Sequence, residues 1–273
     1  MTTTPVSGTA LVTGASSGIG AVYADRLAKR GYHLILVARN QQRLARLARR
    51  LQAESGRSVE PIVADLTDKE DLERVETRLR TDPAISVLVN NAGIGATAPL
   101  LEADVEKMEA MIRLNVTALT RLTYAAAPGF VARGGGTIIN IASVVALWPE
   151  RLNGVYGATK AFVLGFSQSL QHELGDKSVR IQAVLPGATA TEFWDLSGLP
   201  LHNLPSAIVM SAEDLVDAAL TGLDQGEVIT IPALPEKAEW DRYEATRLAM
   251  TGHLSNALPA PRYAVGQTRS AVA

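Results

Sequence analysis

Short apolar runs and longer mixed segments alternate along this chain. TALVT (residues 9–13), HLILVA (33–38), VEPIVA (59–64), ISVLVN (85–90), TIINIA (137–142), VRIQAVL (179–185) and EVITI (227–231) are largely apolar, rich in β-branched residues and too short for ordinary helices. Between most of them, apolar residues recur at helical spacing, as at Leu44, Leu47 and Leu51, or at Leu66, Leu72, Val75 and Leu79. Strand and helix in alternation predict parallel strands joined by helices, and near-continuous apolar strands fit a sheet covered on both faces. The expected fold is α/β, a doubly wound, seven-stranded parallel sheet in a single domain.

Two regions break the alternation. Residues 188–212 carry Gly198, Pro200, Pro205 and scattered aromatics where a helix is expected, the pattern of a functional lid. The domain is expected to span residues 1–250, and the polar, proline-containing tail of 251–273 is either disordered or packed on a neighbouring subunit.

Composition narrows the function. With 47% hydrophobic and 20% charged residues in 273, the chain has apolar material for one large core. Twenty-six basic and 28 acidic side chains give a formal charge of −2, which attracts neither nucleic acid nor anionic membranes. The chain has no cysteine, so disulfides, thiolate catalysis and thiolate metal sites are excluded, and no metal site is expected. MTTTPVSG has no basic residue ahead of an apolar core, and no run approaches the roughly 18 apolar residues of a membrane span, so a cytoplasmic location is the expectation.

The first chemical signal is LVTGASSGIGAVYADRLAKRG. Gly14, Gly18 and Gly20 sit where a strand turns into a helix, and glycine there lets the backbone approach a pyrophosphate drawn by the helix N-terminus. Tight-turn glycines without a ligand are the plainer reading. The letters GASSG also match the nucleophile elbow of hydrolases with Ser16 as nucleophile, but an elbow follows a central strand with much of the sheet before it, and here one strand precedes. In LILVARNQQR, Ala38 stands where an acid would bind a ribose 2′-hydroxyl, and Arg39 follows it. A guanidinium with no carboxylate before it favours a 2′-phosphate, so NADPH is expected in preference to NADH, with NAD as the alternative cofactor. Arg43, Arg46, Arg49 and Arg50 read as the solvated face of the next helix.

TGASSGIG, Asp65 with Leu66, NNAG at 90–93, Asn115, Ser143, Tyr156 with Lys160 four residues on, and PG at 186–187 together resemble the short-chain dehydrogenase/reductase family in its single-domain branch, over about residues 8–231. The resemblance implies a Rossmann-like fold and an oxidoreductase with a catalytic set of Asn115, Ser143, Tyr156 and Lys160. By that resemblance Gly14, Ser16, Ser17, Gly18, Ile19 and Gly20 hold the cofactor with Arg39. Asp65 and Leu66 meet the adenine, Asn91, Ala92 and Gly93 border its ribose, and Pro186, Gly187 and Thr191 approach the carboxamide. Tyr156 stands beside the nicotinamide, Ser143 holds the substrate oxygen, Lys160 holds the nicotinamide ribose, and Asn115 supports a water relaying protons to the lysine. Asp65 could equally cap the helix that begins near Asp68.

A free phenol titrates near 10, too high for a base at neutral pH, and Lys160 one turn along, together with the cationic nicotinamide of the oxidised cofactor, is expected to lower Tyr156 towards neutrality. Val144, Val145, Leu147 and Trp148, with Phe193, Trp194, Leu196, Leu199 and Leu201 in the lid, suggest an apolar pocket, and no arginine or lysine lies between residues 181 and 236. An uncharged ketone, aldehyde or secondary alcohol is the expected substrate, with Ser143, Val145, Trp148, Tyr156, Phe193 and Trp194 binding it. A nucleotide-binding sensor or scaffold without catalysis is the alternative. The resemblance also implies a homodimer or homotetramer through the helices that carry Asn115 and Tyr156.

Overall fold

The computed structural model describes residues 8–263. The last ten residues of the expected tail, 264–273, lie outside them. Seven strands form one parallel sheet in the order β3-β2-β1-β4-β5-β6-β7: β1 (Thr9–Thr13), β2 (His33–Ala38), β3 (Val59–Val63), β4 (Ile85–Asn90), β5 (Gly136–Ile141), β6 (Val179–Val184) and β7 (Ile229–Thr230). The order reverses between β1 and β4, and ligands of such sheets bind in the crevice beyond the strand C-termini at that switch point. This is the expected Rossmann-like, doubly wound fold.

Strands β1, β2, β4, β5 and β6 are largely apolar at consecutive positions because both faces are covered, whereas the edge strand β3 is fully buried only at Val59. Side chains alternate across a strand. Ala10 and Val12 of β1 join one core with helices α1 (Gly18–Lys29), α2 (Gln41–Ser55) and the buried residues of α8 (Ala212–Asp224). Leu11 joins the opposite core with α3 (Lys69–Thr81), α5 (Leu119–Ala132) and the distal end of α6 (Gly154–Leu174). Leu44, Leu47 and Leu51 form the buried stripe of α2, each contributing about 1.5–3 kcal/mol by leaving water. Leu66 is buried too, but it precedes α3, whose N-cap Asp68 accepts the N–H groups of Glu70 and Asp71 at 3.0 Å.

A buried polar network ties the sheet centre to its helices. Asn90 Nδ2 donates to Asn140 Oδ1 on β5 at 2.9 Å and to Thr123 Oγ1 on α5 at 3.1 Å, and Asn140 Nδ2 donates to Ser167 Oγ on α6 at 3.0 Å. Asn90 is thereby a structural tie between strands.

Between α4 (Val105–Ile112) and α5 runs one π-helical segment, Arg113–Ala118, which carries Asn115. The 188–212 stretch holds a single helical turn, α7 (Phe193–Leu196), and two 3-10 turns, Leu201–Asn203 and Ser206–Ile208. The sheet and its helices belong to a unit that ends at Pro232, and a separate compact unit begins at Ala233 with helix α9 (Lys237–Ala249). Among the described residues no helix is long and apolar enough to cross a membrane.

Candidate functional site

The glycine turn after β1 lies where β1 meets β4. Thr13 Oγ1 accepts the N–H groups of Asn91 and Ala92, each at 3.0 Å, and Asn91 Nδ2 donates to Thr13 O at 2.9 Å. The two strand ends are so close that a Cβ on Gly14 (φ +64°) would lie 2.8 Å from Asn91 Nδ2 and 2.9 Å from Ala92 Cα. Only glycine fits there. A Cβ on Gly18 would meet the Thr191 methyl at 3.1 Å, so residue 191 crosses directly over the turn.

Two further observations suit this turn to a dinucleotide. The N-cap of α1, Ser17, makes no side-chain capping bond, and the first turn holds no acid, so the helix N-terminus is left for an external anion. Ser16 and Ser17 also line a cavity of about 380 Å³ with Arg43, Arg46, Arg50 and Glu192. Arg39 and Asp65 stand together, Nη1 to Oδ2 at 3.7 Å, and Asp65 is further bound by the hydroxyl of Thr67 at 2.7 Å. Arg43 pairs with Glu192 of the 188–212 stretch. The sequence pattern assigned Arg43 to a solvated face; its proximity to the glycine turn depends on how α2 faces α1, which spacing within α2 alone does not encode.

The second cluster is buried. On α6, Tyr156 and Lys160 belong to the inward stripe with Val163, Leu164, Ser167 and Leu170, which is why a phenol and an ammonium point inwards from one helix. Asn153 caps that helix, its Oδ1 accepting the N–H of Val155 at 2.9 Å and of Tyr156 at 3.3 Å. Ser143 follows β5, and its hydroxyl lies near enough to Tyr156 to favour the phenolate. It also donates to Pro186 O at 3.3 Å and accepts the Val145 N–H at 3.3 Å. Lys160 Nζ donates to Ile141 O at 2.8 Å and lies 5.8 Å from the centre of the Tyr156 ring. It is also near Gly93, where a Cβ would sit 3.6 Å from Nζ and 3.2 Å from Asn115 Oδ1.

Asn115 is fully engaged through its side chain. Its Oδ1 accepts the Ile94 N–H at 3.0 Å, and its Nδ2 donates to Ile94 O at 2.8 Å and to Thr159 Oγ1 at 3.2 Å. The i→i+5 pattern of the π segment re-aims its backbone at this point, as such segments do near functional sites.

Titration here departs from the sequence-based expectation. Burial pushes the Tyr156 phenol up to about 12, with the nearby Ser143 hydroxyl opposing it, and burial pushes Lys160 down to about 8. In the chain alone desolvation outweighs the lysine, so Tyr156 holds its proton across the neutral range instead of sharing it.

Around the phenol lies an apolar cluster of Met111 on α4, Val145 and Tyr156, with Ile94, Leu152 and Phe193 packed against it. Phe193 and Tyr156 have ring centres 5.6 Å apart. Trp194 packs edge-on against Phe193, ring centres 5.6 Å apart. Trp194 is buried with its indole N–H on Thr189 O at 2.9 Å, Trp148 is exposed beneath the Arg151 guanidinium, and Leu196 is exposed. Among the described residues no group of three or more histidines or acids is arranged to hold a metal ion.

Comparison with known proteins agrees with this geometry. The family model described as short chain dehydrogenase matches residues 8–198. An uncharacterized oxidoreductase of Staphylococcus saprophyticus is 35% identical, the match covering 81% of this chain and 93% of that one. A short-chain dehydrogenase from Sphingobium yanoikuyae, solved in complex with NADPH, is 50% identical with a TM-score of 0.91, covering 94% of this chain and 100% of that one. A bulky-bulky ketone specific alcohol dehydrogenase from Comamonas testosteroni is 45% identical with a TM-score of 0.87, covering 95% and 99%. This chain belongs to the short-chain dehydrogenase/reductase family of oxidoreductases.

Proposed function

We propose that the protein reduces an uncharged, apolar ketone or aldehyde to its alcohol, and the reverse, with NADP(H) preferred to NAD(H). The observation that carries this reading is the buried meeting of Ser143, Tyr156 and Lys160 beside an apolar cluster, at the strand ends that also hold the glycine turn. The relatives support both halves of it, since the Sphingobium enzyme was solved with NADPH and the Comamonas enzyme is ketone specific.

Gly14, Ser16, Ser17, Gly18, Ile19 and Gly20 would hold the pyrophosphate end, Arg39 and Arg43 the 2′-phosphate, and Asp65, Leu66, Asn91, Ala92 and Gly93 the adenosine. Pro186, Gly187 and Thr191, between Ser143 and the glycine turn, would border the carboxamide. The bound cofactor supplies the hydride that reaches the carbonyl carbon.

The Ser143 hydroxyl fixes the carbonyl oxygen and stabilises the charge that develops on it. The Tyr156 hydroxyl, protonated across the neutral range, gives its proton to that oxygen and completes the alcohol. The resulting phenolate is attracted by the Lys160 ammonium, whose Nζ lies 5.8 Å from the ring centre. The lysine's assistance therefore falls on the state formed during turnover. Asn115, by holding Ile94 and Thr159, positions the loop and helix that border Lys160.

On α5 and α6 the exposed rings of Tyr124 and Phe162 each stack on the half-buried Phe166, an arrangement that suits the helix-mediated dimer or tetramer. The test of the reading is loss of reduced-nicotinamide absorbance with NADPH and a panel of apolar ketones. Turnover with at least one supports it, and NADPH binding without turnover on any favours a sensor.

A further inference from the structure

The loop after β4, residues 94–98, is clamped from three sides. Asn115 holds both backbone groups of Ile94. The carbonyl of Ser197, just after α7, accepts both the N–H and the hydroxyl of Thr97, at 3.2 and 2.9 Å. Asn153, the cap of the Tyr156 helix, donates to Ala98 O at 2.6 Å. The loop cannot withdraw from either Tyr156 or α7 without breaking one of these bonds.

Gly95 lies in the middle of it, with a φ outside the left-handed region, so its missing side chain matters for space and not for backbone freedom. A Cβ there would stand 2.7 Å from Phe193 Cε2, closer still to Cζ, and 3.0 Å from Ser197 Oγ. The gap at Gly95 is filled by the far end of the Phe193 ring, whose centre lies 5.6 Å from that of Tyr156. The backbone of Phe193 is anchored separately, its carbonyl accepting the Ser197 hydroxyl at 2.6 Å.

We propose that Gly95 and Phe193 form one specificity device: the glycine provides the seat for the ring, and the seated ring sets the size of the ketone substituent admitted beside Tyr156. The inference rests on the ketone-reductase reading above. Phe193 is the wall and Gly95 the residue that positions it, so the two act through a single atom group and must be energetically coupled.

The test is kcat/KM for two aryl ketones, one with a methyl and one with a longer alkyl group, in wild type, Phe193→Ala, Gly95→Ala and the double variant. A pocket enlarged by several carbons changes discrimination by about tenfold or more. Phe193→Ala is expected to raise the large-to-small ratio by that amount. Gly95→Ala is expected to shift the ratio at least about threefold in the Phe193 protein and less than about twofold in the Phe193→Ala background. A Gly95→Ala protein that folds only when Phe193 is also shortened counts for the proposal, because the clash is then with the ring. Misfolding in both backgrounds, a ratio unmoved by Phe193→Ala, or an equal shift by Gly95→Ala in both backgrounds overturns it. Wild type that turns over no ketone overturns the functional reading and this inference together, whereas wild-type turnover with unmoved ratios removes only the inference.

Discussion

The two ends of the site are built on different physical terms. At the chemical end, Asn115, Ser143, Tyr156 and Lys160 are 2–8% exposed, and Asn115, Ser143 and Lys160 each make a side-chain hydrogen bond to another part of the fold. At the other end the groups suited to a 2′-phosphate are charged and wet, Arg39 with 69% of its side chain exposed and Arg43 with 42%. Burial makes the first end rigid and shifts its titration, whereas water screens the second and leaves its ion pairs exchangeable. Changes at the buried end should therefore cost rate or stability in large steps, and changes at the exposed end should alter cofactor choice in small ones.

The largest expected effect tests the buried end. Ser143→Ala should lower kcat for ketone reduction by about a thousandfold, the loss that follows removal of one oxyanion donor, with NADPH affinity measured by fluorescence titration changed less than about twofold.

Lys160→Met should abolish efficient turnover yet stabilise the cofactor-free fold. A lysine whose folded value, about 8, lies below its ordinary 10.5 contributes stability that is present above about pH 10.5 and lost as pH falls through about 8. The variant should therefore exceed wild type at pH 7 by about 3 kcal/mol, on the order of a hundredfold in folding equilibrium, and lose that advantage towards pH 10.5. Urea titrations at the two pH values check it.

The raised Tyr156 value separates the two directions of reaction. In the proposed mechanism reduction needs the protonated phenol, so its kcat/KM should be flat across the neutral range, while alcohol oxidation needs the phenolate and should rise about tenfold per pH unit below its titration. The smallest step belongs to the exposed end. Arg43→Ala should weaken NADPH binding by about tenfold, leave NADH within about twofold and cost little stability, since its pair with Glu192 is solvent-screened.

The same contrast explains what the sequence made legible. Five strands stand out as apolar runs because both their faces are covered, whereas the edge strand β3 buries only Val59, and β7 pairs only through Ile229 and Thr230 with the end of β6, so EVITI promises more strand than the ladder supports. Helix α9 escaped notice because KAEWDRYEATRLA has no buried stripe to give it a period. Tyr156 and Lys160 were legible because four residues on one helix fix their geometry. Gly95 was not, since its neighbours Phe193 and Ser197 come from about a hundred residues away in sequence, and no local spacing carries that approach. The raised Tyr156 titration of the chain alone is not legible for a related reason: a neighbouring charge is visible in the sequence, but the depth of burial that opposes it is a property of the packed fold.

The central claim is that the Tyr156 hydroxyl is the proton donor to the substrate oxygen and carries little of the cofactor's binding. Single-turnover oxidation of bound NADPH by a reducible ketone, compared between wild type and Tyr156→Phe, tests it most directly, because the substitution removes one oxygen from a ring that stays packed against Val145 and Phe193. The account predicts a rate lowered by about a thousandfold or more with NADPH affinity unchanged within about twofold. A phenylalanine variant that turns over within about tenfold of wild type, or that loses NADPH binding along with activity, would contradict it.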